Sequence, residues 1–121
     1  KLSAIERAAL IDEAGKDRLT ISFYQYYKIE NPQLFRDKLF LEWNALDVLG
    51  RIYVSYEGIN AQLSVPSENF YVLKEQIDSI SFLKDIRLNV AIEHDNKSFL
   101  KLKVKKLFSI QLLHLLHLHL I

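Results

Sequence analysis

Residues 50–66, GRIYVSYEGINAQLSVP, are the stretch from which the rest of the chain can be placed. Two alternating runs flank Glu57 and Gly58. With that pair as a tight hairpin loop, Tyr56 lies opposite Ile59, Val54 opposite Ala61 and Ile52 opposite Leu63, and every one of these apolar side chains shares a face. A one-residue slip would send one strand's apolar set to the far side, so the agreement carries information. The other face carries Arg51, Tyr53, Ser55, Asn60, Gln62 and Ser64, which suit water or a polar partner. The pattern predicts a hairpin with one core side and one bare polar side.

Outward from the hairpin, residues 20–27, TISFYQYY, are dense in β-branched and aromatic residues and read as a strand. Ile21, Phe23 and Gln25 fall on one face; Ser22, Tyr24 and Tyr26 fall on the other. Asn31 is placed to cap a helix, Pro32 suits its first position, and Phe35, Leu39, Trp43 and Leu46 make an apolar stripe expected to end near residues 48–50. Pro66 closes the second hairpin strand because proline cannot donate to a ladder. Ser67 then reads as an N-cap, with Glu68 in the first turn and a second stripe of Phe70, Leu73, Ile77 and Ile80. Residues 87–94 alternate Leu88, Val90 and Ile92 against Asn89, Ala91 and Glu93. After a turn at Asp95, Asn96 and Lys97, residues 98–104 set Leu100, Leu102 and Val104 against Phe99, Lys101 and Lys103. Ahead of all this, residues 3–14 read as a peripheral amphipathic helix with Ile5, Ala8, Ala9 and Leu10 on its apolar side and Gly15 as its stop. Strand, helix, strand, strand, helix, strand is the ferredoxin-like βαββαβ order. The expected fold is therefore an α+β sandwich, an antiparallel sheet with two helices on one face, plus one extra C-terminal strand.

The chain has 121 residues, 50% of them hydrophobic, which suits one domain with a small core. A formal net charge of +1 gives no global attraction to nucleic acid, so any basic surface has to be local. The absence of cysteine excludes disulfides, thiolate zinc sites, CxxC redox chemistry and a cysteine nucleophile. Residues 1–18 intersperse acids and bases with apolar positions, unlike a signal peptide, and no apolar run reaches the roughly 18 residues of a membrane span. The expectation is a cytoplasmic protein with no membrane partner.

Several sites are weighed and set aside. Residues 107–121, LFSIQLLHLLHLHLI, hold seven leucines, three histidines and no charge. His114, His117 and His119 lack carboxylate or cysteine support, so adventitious nickel or zinc binding is the plainer reading than a built metal site. Acylphosphatase chemistry wants a glycine-rich phosphate cradle after the first strand, and the segment there, YYKIENPQ, has no glycine. Asn60 alone does not replace that cradle. His94 sits at a strand end with no flagged nucleophile, which leaves a Ser-His-Asp triad unsupported. No catalytic residue, cofactor or metal is assigned. An open ferredoxin-like sheet with Tyr24 and Tyr26 invites base stacking, although Asn60, Gln62 and Ser64 stand where an RRM presents aromatics.

Taken together, TISFYQYY, NPQLFRDKL, ALDVLGRIYVSYEGINAQLSVP, RLNVAIEHDNKSF and KLKVK closely resemble the N-terminal domain of the rhodanese-like tRNA uridine hydroxylases. The likeness runs from about residue 19 to residue 104. Its most specific piece is the EGIN signature, Glu57, Gly58, Ile59 and Asn60. The resemblance implies a bacterial tRNA-modifying oxidoreductase that uses molecular oxygen to hydroxylate the wobble uridine at its fifth carbon. In that family a rhodanese domain with a conserved active-site cysteine follows, and that cysteine has no counterpart at any position here.

The expected division is a peripheral helix at residues 1–18, the ferredoxin-like domain at residues 19–104, and an atypical apolar tail at residues 105–121, foreign to the domain through frameshift, truncation or cloning design. The domain is read as non-catalytic by itself, helping to place tRNA or docking on the missing rhodanese domain. For RNA, Tyr24 and Tyr26 are the candidate stackers, Arg51, Lys101 and Lys103 the phosphate contacts, and Asn60 and Gln62 the hydrogen-bonding groups. The competing reading is a structural module, packing on the rhodanese domain or forming a homodimer, with no direct nucleic-acid contact.

Overall fold

A computed structural model describes residues 3–15, 17–93 and 99–108. At its centre β1 (Arg18–Tyr26) and β3 (Gly58–Pro66) run antiparallel over their full nine-residue lengths, from Arg18 opposite Pro66 to Tyr26 opposite Gly58. Gly58 makes the close end of this ladder possible. Its φ is 150°, and a Cβ there would sit 2.2 Å from the Gln25 carbonyl oxygen, inside any tolerable contact.

The hairpin partner β2 (Leu49–Ser55) pairs Ser55 with Gly58, Val54 with Ile59 and Ile52 with Ala61. The loop is therefore Tyr56 and Glu57, one residue earlier than the expected Glu57 and Gly58. This slip is two residues in strand offset, which preserves the side-chain parity, so Ile52, Val54, Ile59, Ala61 and Leu63 all remain in the core at 1% exposure or less. Tyr56 is the exception: it leaves the core face, is 51% exposed, and lies under the Lys106 ammonium at 5.7 Å from the ring centroid. The loop is braced by backbone bonds from Tyr27 N–H to the Glu57 carbonyl and from Ile29 N–H to the Tyr56 carbonyl, each 2.9 Å.

With β4 (Asn89–Glu93) and β5 (Leu102–Lys106), the sheet has the order β4-β1-β3-β2-β5. The first four strands in that order are the ferredoxin-like arrangement. The extra strand lies on the β2 edge and runs parallel to β2, with Arg51 opposite Lys103. Helices α1 (Ala4–Ala14), α2 (Pro32–Asn44) and α3 (Phe70–Ser79) contribute Ala14, Leu39, Trp43, Phe70, Leu73 and Ile77 to the same core cluster as the apolar strand faces, so all three lie on one side.

Asn31 caps α2 as expected, its side chain accepting from Leu34 N–H at 3.0 Å, and Pro32 follows it. The helix stops at Asn44, short of residues 48–50, and Asp47 takes a positive φ of 60° before β2 begins. Ser67 does not cap. It opens a short 3-10 turn, and its hydroxyl donates instead to the Gly15 carbonyl at 2.5 Å, tying α1 to the end of β3. In α1 the capping box of Ser3 and Glu6 is formed, but the apolar face differs from expectation: Ile5 is 84% exposed, while Ala14 and Ile11 meet the core. Trp43 is fully buried, with its indole N–H donating to Gln76 at 2.6 Å, which joins α2 to α3. Leu100, expected on a strand face, lies ahead of β5 and is 93% exposed. His94, the expected turn at Asp95–Lys97, and His114, His117 and His119 lie outside the described residues.

At the start of β1 the polar face is closed by a buried network. The Ser64 hydroxyl donates to the Glu93 carboxylate at 2.7 Å and accepts from Arg18 Nε at 2.7 Å, while Arg18 Nη2 donates to the Ser64 and Asp47 carbonyls. Burial tends to lower the Arg18 pKa, opposed by the charges of Glu93 and Asp47. Changing Glu93 to alanine removes an acceptor from a site that is 5% exposed, and is expected to lower stability by about 1–3 kcal/mol. Gly58→Ala should cost about 2–4 kcal/mol through the strained φ and the Gln25 clash. Urea unfolding of each variant measures both, and a loss under about 0.5 kcal/mol for Gly58→Ala would contradict the close-approach argument.

Candidate functional site

The face turned away from the helices is laid out in rows by the strand register. One row runs Ser22, Gln62, Arg51, Lys103 across β1, β3, β2 and β5; the next runs Tyr24, Asn60, Tyr53, Lys105. Beyond them Tyr26, Gly58 and Ser55 line up at the hairpin end. The geometry thus brings together Tyr24, Tyr26, Arg51, Asn60, Gln62 and Lys103. Lys101 precedes β5, and its carbonyl accepts from Gly50 N–H at 2.9 Å.

Lys105 and Tyr53 also belong to this face, and the sequence reading did not include them among the contacts. The alternation of Lys101, Lys103 and Lys105 was the available signal. The expected strand ends at residue 104, whereas β5 continues to Lys106 and so carries Lys105 onto the face.

Residues 99–108, FLKLKVKKLF, carry four lysines and no acid. Across the edge, Arg36 on α2 donates from Nε to the Val104 carbonyl at 2.7 Å and pairs with Asp37 at 3.1 Å. Arg36, Lys101, Lys103 and Lys105 line a shallow cleft of about 430 Å³ together with Leu102 and Val104. A chain of formal net charge +1 therefore concentrates cations on one rim, which is the local patch that a polyanion needs.

The middle of the face is not bare, contrary to expectation. Ser55, Asn60 and Ser64 are 0%, 3% and 1% exposed. Ser55 Oγ accepts from Glu57 N–H at 3.1 Å, which leaves the Glu57 main chain committed to the turn. Tyr24 and Tyr26 meet edge to face at 4.8 Å between centroids, and Tyr26 is 48% exposed. Burial, then the hydrogen bond with Tyr26, then the charges of Tyr26 and Glu57 push the Tyr24 phenol well above its ordinary value.

At the opposite edge of β1 a cleft of about 660 Å³ is lined by Tyr24, Gln25, Phe82, Lys84 and Arg87 among others. In the segment after β1, the amides of Tyr27 and Ile29 are spent on the hairpin carbonyls, so they do not form an acylphosphatase-type phosphate cradle. Among the described residues no group of three or more His, Cys, Asp or Glu is placed to hold a metal ion, and no helix is long and apolar enough to cross a membrane.

Because the folded state favours the neutral Tyr24 phenol, its stabilising contribution is complete below the ordinary tyrosine pKa of about 10 and is lost as pH rises through the folded value. In an ultraviolet titration of the six tyrosines, one should resist ionisation at about pH 11. Tyr24→Phe should abolish that lag. A wild-type curve with no lag would overturn the assignment.

The sequence model of the UPF0176 acylphosphatase like domain matches residues 18–110. Proteins named tRNA uridine(34) hydroxylase are similar over the same region: one from Leptospira interrogans serogroup Icterohaemorrhagiae serovar Lai (strain 56601) is 50% identical over 95 residues, covering 78% of this chain and 26% of that protein. Its counterpart from Pectobacterium carotovorum subsp. carotovorum (strain PC1) is 48% identical over 106 residues, 87% of this chain and 30% of that protein. The chain therefore spans between a quarter and a third of the relatives' length. Among solved structures, BlrB, a BLUF protein in its dark state, superposes with a TM-score of 0.62 at 10% identity, covering 83% of this chain and 79% of that one. The BlsA photo-activated state gives 0.54 at 20% identity, over 85% and 76% of the two chains. These two likenesses concern the fold alone. Residues 18–110 make the chain a member of the UPF0176 acylphosphatase like domain family, the N-terminal part of proteins named tRNA uridine(34) hydroxylases.

Proposed function

We propose that this chain is the RNA-placing domain of a bacterial, cytoplasmic enzyme that hydroxylates the wobble uridine of tRNA with molecular oxygen. The domain is non-catalytic alone, and the ferredoxin-like unit runs from about residue 19 through the end of β5 at Lys106, two residues past the expected boundary at residue 104. A rhodanese domain in the longer protein supplies the chemistry. The observation that carries the reading is the cationic rim of Arg51, Lys101, Lys103 and Lys105 beside a tyrosine-bearing sheet face. Cations on a rim neutralise phosphates, and aromatic rings on the adjoining face receive unpaired bases. Tyr24 and Tyr26 are the stackers, Arg51, Lys101 and Lys103 hold phosphate, and Asn60 and Gln62 supply hydrogen bonds. No cofactor or metal is assigned to these residues.

A second reading is packing on the rhodanese domain or on another copy of the chain. It draws on exposed aromatics at the hairpin end: Tyr26 and Tyr27 at 48%, Tyr56 at 51% and Phe108 at 87%.

Titration of tRNA into the 121-residue protein at several salt concentrations separates the two. The RNA reading expects affinity to fall steeply with salt, and the Arg51, Lys101 and Lys103 to alanine triple variant to reduce the log–log slope by about two to three. Undetectable binding at low salt, or an unchanged slope in the variant, would retire it. A concentration-dependent dimer indifferent to salt in sedimentation would favour packing.

A further inference from the structure

Asn60 is the anomaly of the polar face. Its side chain is 3% exposed, and its Nδ2 is buried without a hydrogen-bond partner. A buried amide donor with no acceptor is destabilising, and an apolar side chain of similar size would carry no such cost. The orphan donor is flanked in register by a tyrosine on each side, Tyr24 on β1 and Tyr53 on β2. One row further on, Gly58 places no side chain between Tyr26 and Ser55. The Tyr24 and Tyr53 backbones are two strands apart, roughly 9.5 Å. That span admits one planar ring between two aromatic ones at centroid separations of about 4.5 Å each. Arg51, Lys103 and Lys105 stand on the adjacent strands, where the phosphates of such a nucleotide would lie.

We propose that Asn60 is a base-reading residue: its Nδ2 donates to a carbonyl oxygen of one unpaired, carbonyl-bearing base inserted between Tyr24 and Tyr53. This rests on the RNA reading above and names the group that distinguishes one base from another. Insertion requires Tyr24 to swing off its edge contact with Tyr26, whose half-exposed ring leaves room to yield. The base carbonyl then satisfies the buried amide, and an incoming nucleotide without a carbonyl leaves it unsatisfied. Phosphate contacts at the rim are indifferent to this choice, so base preference and salt dependence reside in different residues.

The test compares a short oligouridine with an abasic ribose-phosphate oligomer of equal length, both added to the unaltered 121-residue chain. Oligouridine should bind about fivefold or more tightly than the abasic oligomer. The Asn60 side-chain amide cross-peaks in a nitrogen–proton correlation spectrum should move with oligouridine only. Asn60→Asp, which removes the donor and adds a negative charge, should weaken both oligomers and bring their affinities within about twofold of each other. If both oligomers bind and the Asn60 cross-peaks stay still, the assignment of Asn60 is overturned and the RNA reading stands. If neither oligomer binds at low salt, both fall. The spectrum of the unaltered protein decides the matter even where Asn60→Asp fails to fold.

Discussion

Nine successive cross-strand positions hold β1 against β3, and the architecture depends on that pairing having one wet and one dry side. Leu19, Ile21 and Phe23 stand beside Val65, Leu63 and Ala61 on the dry side, all at 4% exposure or less. Apolar area of this kind is worth about 25 cal/mol per Å² removed from water, and the helices cover it from one direction only. Apart from the Arg18–Ser64–Glu93 network, the far side adds little apolar burial, and this is where the cations and tyrosines collect. The glycine at the ladder's end is as necessary as the apolar residues, because the two backbones meet there more closely than a Cβ allows.

Much of this was legible in the primary structure, for physical reasons that can be named. A period of two in residues 50–66 survives an even offset, so the wrong loop residues still put Ile52, Val54, Ala61 and Leu63 on the correct side. What local pattern could not convey was why Gly58 is glycine. The reason lies in β1, more than thirty positions earlier, where the Gln25 carbonyl occupies the space. Ser67 misled for a similar reason, since its hydroxyl answers the distant Gly15 carbonyl instead of its own helix. The end of α2 was overestimated because Leu46 continues the stripe while Asp47 already turns into the left-handed region.

The candidate site was legible as a set of residues and illegible as a surface. Alternation alone assigns Asn60, Ser55 and Ser64 to a polar face, and polar suggests exposed. In the folded chain the neighbouring strands bring Tyr24, Arg18 and Glu93 alongside, and the small polar side chains become a floor with larger groups around them. Lys105 was missed because its place is set by pairing with β2, a partner more than fifty residues away in sequence. A buried polar floor has a different consequence from a solvated one, because each unmet donor there penalises any ligand that does not answer it.

The parallel seating of β5 bears on where the chain can be divided. By Glu93 the four strands that share the split βαβ topology have all been made, and they enclose almost the whole core. The fifth adds itself to the far rim, bringing Val104 inside and its lysines outside. In chain order the lysines of this rim follow the four strands that carry the split βαβ topology. A chain cut before this strand would keep almost all of the core residues while losing Lys101, Lys103, Lys105 and Lys106.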